Sequence, residues 1–167
     1  IGRRLAECGV TVVSGLAIGI DAFVHKGALE VPGKVIGVLG GGILQMGPRC
    51  NYDLMMKGLE AGGLVVSEYE PDVPAAPHQF PQRNRIISGL AKSVAVVEAR
   101  VNSGSLITAQ LAAEQGRSVY AVPGNINSQF SIGSNLLIRD GAYPLIIIDD
   151  IIRDLGIEYE PQKEVEI

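Results

Sequence analysis

Short β-branched runs alternate along the chain with segments of helical length. The runs are VTVVS (10–14), KVIGVL (34–39), LVVSE (64–68), SVAVVEA (93–99), SVYAVP (118–123) and YPLIII (143–148). They are nearly continuous in hydrophobic character, which predicts strands buried on both faces rather than on one. Between them the pattern predicts helices at 18–30, 51–61, 82–91, 105–115 and 133–140, with DDIIRDLG as a last one and IGRRLAECG as a helix at the start. Gly62, Gly116, Gly141 and Gly156 sit where helix C-caps should fall. The alternation predicts an α/β fold: an open, mostly parallel sheet with helices on both faces, Rossmann-like in build. Residues 158–167, within the tail EYEPQKEVEI, read as a loose end.

The strand exits carry the chemical information. SGLAIGID follows the first run, GGGILQMGPRCN the second, RVNSGSLITA the fourth and PGNINSQFSIGSN the fifth. Each is a Gly/Ser/Asn-rich loop feeding a helix N-terminus. In an open parallel sheet the crevice beyond the carboxyl ends of the strands is the binding site, and helix N-termini there offer unpaired N–H groups. Glycine lets the backbone come close, and Ser103, Ser105 and Thr108 add hydroxyls. Such a rim suits an anion, most simply a phosphate.

Composition narrows this. At 167 residues, 47% hydrophobic, the chain is long enough for one domain with a sizeable core. Its 18 acidic and 14 basic residues give a net charge of −4, so any basic site must be local. Cys8 and Cys50 form no C-x-x-C pair and fit a reducing compartment. No apolar stretch approaches the roughly 18 residues of a spanning helix, which predicts a soluble, cytoplasmic protein with no membrane partner.

Established chemical motifs are mostly excluded. Gly40, Gly41 and Gly42 do not satisfy G-x-G-x-x-G, because the spacing to Gly47 is wrong. The Gly-Lys pair before Val35 is followed by no Ser or Thr, so a nucleoside-triphosphate loop fails as well. Ser14 lacks the first glycine of a hydrolase elbow. Two histidines and two cysteines supply no metal-site spacing, so no metal is expected. Asp21 and His25 stand i, i+4 and could touch on a helix, and His78 lies in a proline-rich loop. In FPQRNRIISGL (80–90), Pro81 suits a first helical turn, and Ile86, Ile87 and Leu90 form an apolar face. At 100° per residue Arg83 falls on that side and Arg85 roughly opposite.

Taken together, VVSGLAIGIDAFVH, GKVIGVLGGG, SEY, HQFPQRNRIISGLAKSVAVVEARVNSGSLITAQLAAEQGRSVYAVPGN and SIGSNLLIRDGA resemble the Rossmann-like domain of the DprA (Smf) family of DNA-processing proteins, over residues 1–157. The resemblance implies a bacterial single-stranded DNA-binding protein without catalytic activity or cofactor. It would protect incoming strands in natural transformation (competence), assist loading of a RecA-type recombinase, and act as a homodimer. Carried over by position, the pocket would include Ser14, Gly15, Gly40, Gly41, Gly42, Arg49, Asn51, Arg83, Asn84, Arg85, Ser103, Gly104, Ser105 and Thr108. On this reading Arg83, and more weakly Arg85, neutralise backbone phosphates, while the N–H groups of Gly104 and Ser105 hold a neighbouring one. With Arg49 as a third contact, log affinity should fall with log salt at a slope of about −2.

Two departures stand out. Where relatives show an acidic residue and Tyr-Pro, this chain has Gln45, Met46, Gly47 and Pro48, so an aromatic stacking partner is missing from that wall. The family's first strand, with a V-G-S/T-R type motif, would precede residue 1 and lie in the middle of the sheet. An enzymatic alternative is a nucleotide-cleaving phosphoribohydrolase of the lysine-decarboxylase-like family. Its P-G-G-x-G-T-x-x-E loop would correspond to N-S-G-S-L-I-T-A-Q, which has no glutamate at the matching place and Gln110 only nearby. Independently of the resemblance, Leu136, Leu137, Ile151, Ile152 and Leu155 are more apolar than a terminal edge needs and predict a self-association surface.

Overall fold

A computed structural model describes residues 1–161. The predicted strands form as β1 (Val12–Ser14), β2 (Val35–Val38), β3 (Leu64–Val66), β4 (Ser93–Val96), β5 (Ser118–Ala121) and β6 (Tyr143–Pro144). All pairings are parallel. The α/β architecture is as expected, but the strands divide between two three-stranded sheets, β1-β2-β3 and β4-β5-β6, rather than forming one. Register runs from Val12 opposite Val35 to Val38 opposite Val66 in the first sheet, and from Ser93 opposite Ser118 to Ala121 opposite Pro144 in the second.

The helices are α1 (Gly2–Glu7), α2 (Ile20–Ala28), α3 (Tyr52–Glu60), α4 (Gln79–Leu90), α5 (Gly104–Glu114), α6 (Ile132–Arg139) and α7 (Asp149–Asp154). Each parallel pair within a sheet is bridged by one of α2, α3, α5 or α6, the crossover that parallel strands require. Gly62 and Gly116 take φ of 79° and 69° just past α3 and α5, a left-handed conformation that glycine adopts without a Cβ penalty. Helix α4 links the two sheets and packs chiefly on α5, with further contacts to β1 and β2.

The core is correspondingly divided. Val12 and Val35 meet Ala6 and Ala28, and Leu16 and Leu39 meet Met55, around the first sheet. Val96, Ala99 and Ala109 cluster against β4, and Tyr120, Leu145 and Ile151 against β5. Helix α7 is fastened by the Tyr120 hydroxyl donating to Asp154, and by Arg4, whose Nε and Nη2 reach Asp149 at 2.7 and 3.0 Å.

The structure corrects three sequence expectations. The last strand is two residues long rather than six, and its pairing with β5 ends with Leu145 N–H on the Ala121 carbonyl at 2.8 Å. The apolar set at the C-terminal end is mostly used inside the fold: Ile151 and Ile152 are buried, Leu137 and Leu155 pack against the core, and Leu136 is half-buried. Exposed instead are Tyr143, Ile146 and Ile147 on and after the edge strand. Helix α4 buries Gln79, Arg83, Asn84 and Ser88, while Ile86 and Ile87 are half-buried and Leu90 is exposed, so its inner face is polar. Of the predicted tail, Tyr159 lies over Arg4 and the Glu160 carbonyl accepts from Arg4 Nη2 at 2.7 Å, while residues 162–167 lie outside the described region.

Candidate nucleic-acid interface

The loops that leave β1, β2, β4 and β5 differ in how far they are open. The exit of β1 is closed by its own side chains. The Asp21 carboxylate accepts from the N–H groups of Gly15 (2.9 Å) and Ala17 (3.2 Å), rather than engaging His25. Ser14 Oγ accepts from Leu16 N–H at 3.1 Å, and Asn51 Nδ2 donates to the Leu16 and Ala17 carbonyls at 2.9 and 3.3 Å. Leu16 is held at a φ of 54°, a strained value for a side chain of its size, and is buried. Gly37 makes room for it: a Cβ there would collide with Leu16 Cδ1. Ser14, Gly15 and Asn51 therefore meet in one turn, but with the turn's amides already satisfied by a carboxylate.

Gly40, Gly41 and Gly42 are also buried, and they serve close packing. A Cβ at Gly40 would meet the Phe80 ring at 2.7 Å, one at Gly41 the Ala75 amide at 2.7 Å, and one at Gly42 would collide with the Glu70 carbonyl. The segment before α4 thus lies against the exit of β2. It is held there by Gly42 N–H on the Val73 carbonyl (2.7 Å) and Ser67 Oγ on the Gly41 carbonyl (2.7 Å).

Arg83 is 6% exposed, and its guanidinium spends donors on the carbonyls that close β1 and β2: Nη1 reaches Gly15 O at 2.8 Å and also Val38 O. Burial lowers its pKa below the ordinary arginine value, opposed by the charges of Asp21 and Tyr69. Asn84 accepts from Arg83 Nε at 3.3 Å and donates Nδ2 to the Gly104 carbonyl at 3.3 Å, so the R-N pair ties both sheets' strand exits together. Arg85 points outward to an ion pair with Glu68. Arg49 is exposed, with no carboxylate partner among the described residues.

The exit of β4 is the open one. Ser103 caps α5, its Oγ accepting from Ser105 N–H at 3.3 Å, and Thr108 Oγ1 donates to the Gly104 carbonyl at 3.4 Å. A Cβ placed at Gly104 would meet nothing within 4 Å, and no acidic side chain occupies the first turn. Beside it a cleft of about 590 Å³ opens between the loops after β1, β4 and β5. Arg100 lies on its wall with Cζ 4.5 Å from the Phe130 ring centroid. Neither residue was among the sequence candidates. The available signal was an aromatic residue inside the otherwise Gly/Ser/Asn-rich loop after β5.

Comparisons with known proteins agree on the family. DNA recombination-mediator protein A matches residues 1–156. The chain is 49% identical to protein Smf of Escherichia coli, covering 95% of this chain and 43% of that protein, and 40% identical to the DNA processing protein DprA of Bacillus subtilis, covering 92% and 51%. Among solved structures, DprA of Streptococcus pneumoniae superposes with a TM-score of 0.80 at 39% identity, over 95% of this chain and 58% of that one. DNA processing protein A of Helicobacter pylori, described for its single-stranded DNA binding mode, gives 0.83 at 30%, over 93% and 70%. The chain spans about half the length of the curated relatives it matches. With the parallel α/β topology, these likenesses show that the chain belongs to the DNA recombination-mediator protein A family.

Proposed function

We propose that the chain binds single-stranded DNA across the carboxyl-end rim of its strands, as a non-catalytic module of a cytoplasmic recombination mediator. In that setting it protects incoming strands in natural transformation and assists loading of a RecA-type recombinase, as a homodimer. The observation that carries the reading is the exit of β4: an uncrowded helix N-terminus at Gly104, with the Ser105 amide capped by Ser103, in the same loop as the exposed Arg100. The DNA named for the Helicobacter pylori relative supports the same ligand class. Ser14, Gly15, Gly40, Gly41, Asn51, Arg83 and Asn84 serve this site as its frame, and Arg49, Ser103, Gly104, Ser105 and Thr108 as its surface. Arg85 would have to leave Glu68 to reach a phosphate.

Gln110, the residue nearest the glutamate of the phosphoribohydrolases, donates to Glu114 at 2.9 Å on the exposed side of α5, which supports binding over base cleavage. Gel shifts with short single strands, duplex and varied salt test the proposal. Since Arg83 is buried, Arg49 and Arg100 are the two rim contacts expected, and the salt slope for single strands should be about −1.4 rather than −2. Absence of single-strand binding at low salt would refute the reading. Release of free base from a nucleoside monophosphate would replace it with the enzymatic one.

A further inference from the structure

We infer that Phe130, backed by Arg100, is a stacking platform for one nucleobase of the bound strand, seated in the cleft between the loops after β1, β4 and β5. The inference rests on the single-strand reading above and names where a base, rather than a phosphate, is held.

The platform is built before any ligand arrives. The Phe130 carbonyl accepts from Ala99 N–H at 2.8 Å, and the Ala99 carbonyl accepts from Gly133 N–H at 2.7 Å, so the loop after β5 is laced to the exit of β4 on both sides of the ring. A Cβ at Gly133 would meet Ala99 O at 2.7 Å and Arg100 O at 2.8 Å, so only glycine permits that approach. Further along the loop, Asn135 exchanges two hydrogen bonds with Gly124, at 3.0 and 2.9 Å. The Arg100 guanidinium covers the ring at 4.5 Å, yet Phe130 remains 45% exposed. An aromatic ring held in place with accessible area is what base stacking requires.

The character of the cleft selects the base. Ile18 is 76% exposed at its mouth, with Val101 also exposed on its wall, so much of the surface offered is apolar. Among the described residues, the charged side chains lining it are Glu98 and Arg100, one of each sign. A phosphate inside would meet the Glu98 carboxylate; an uncharged heterocycle meets apolar walls and one ring face. The strand's phosphates are better placed outside, towards Arg100 and the Gly104 amide. Such a platform also replaces the aromatic wall missing after β2, where Gln45 and Met46 stand.

The chain contains no tryptophan, so Phe130→Trp introduces a single reporter at the platform. Its fluorescence should be quenched by a short single strand and should stay unchanged with an abasic strand of equal length and charge. Phe130→Ala should weaken single-strand binding about tenfold, while Phe130→Trp retains it. The salt slope should stay at the wild-type value in both, because stacking releases no counterions. If wild type binds single strands while Phe130→Ala binds equally well and the fluorescence of Phe130→Trp is not quenched, the platform is refuted and the binding reading stands. Equal quenching by the abasic strand would also refute it, since a phosphate then occupies the cleft. If wild type itself does not bind, the underlying reading fails instead.

Discussion

At the scale of single residues, His25 shows how burial alone sets a chemical property. It is 1% exposed on α2, its Nε2 has no hydrogen-bond partner among the described residues, and burial pushes its pKa from 6.5 down to about 4. The folded state therefore holds a neutral ring, while the unfolded chain takes up a proton as pH falls below about 6.5. The stability tied to this neutral state is complete above that value and is lost as pH falls towards 4. The loss should be at most about 3.5 kcal/mol, from about 2.5 pH units at about 1.4 kcal/mol each. Urea unfolding at pH 7.5 and 4.5 should show this loss, and His25→Leu should show a smaller one. An equal pH dependence in both proteins would mean that other groups titrate. The sequence offered Asp21 and His25 as an i, i+4 pair, but spacing does not say which partner a carboxylate prefers. Asp21 is taken by the Gly15 and Ala17 amides, which would otherwise lack acceptors at a tight strand exit.

At the scale of elements, α4 is where hydrophobic patterning misleads. Its isoleucines were legible as an apolar face, yet the stripe Gln79, Arg83, Asn84 and Ser88 is turned inward. The reason is the strand exits beneath it: the carbonyls of Gly15, Val38 and Gly104 need donors, and Arg83 and Asn84 supply them. Gln79 plays the opposite part at the helix start, its Oε1 accepting from Ala76 N–H at 2.5 Å. No periodicity in α4 could reveal acceptors on other elements. Its start near Pro81, the inward side of Arg83 and the outward side of Arg85 were legible; that Arg83 would spend its donors on backbone carbonyls was not. The expected consequence of Arg83→Ala is loss of stability before any loss of a phosphate contact. Two buried carbonyls lose their donor and a cavity is left, costing about 2–4 kcal/mol. Chemical denaturation should show it as a lower midpoint, and Arg83→Lys should recover part. A fully stable Arg83→Ala protein would mean that the guanidinium is not holding β1 and β2 together.

At the scale of the whole molecule, each strand in the sequence was recognisable, but not which strands would pair. Six buried runs suit one sheet or two equally well, and the division between β1-β2-β3 and β4-β5-β6 is a property of edges, which no run of residues encodes by itself. Edges also bear on assembly. Among the described residues β6 pairs with β5 on one side only, and Tyr143, Ile146 and Ile147 stand exposed along and beyond it. An uncovered apolar edge invites a second copy, and a symmetric pairing of this patch would bury it in a closed dimer. Ile151 and Ile152, which suggested self-association in the sequence, belong to the core, so the exposed Tyr143, Ile146 and Ile147 are the residues to test for it. Light scattering at tens of micromolar should give twice the mass of the chain. The double substitution Ile146→Asp and Ile147→Asp should return it to a monomer with an unchanged far-ultraviolet circular dichroism spectrum, because neither side chain is buried in the fold. A monomeric parent protein at that concentration, or a double variant that remains dimeric, would place the interface elsewhere or remove it.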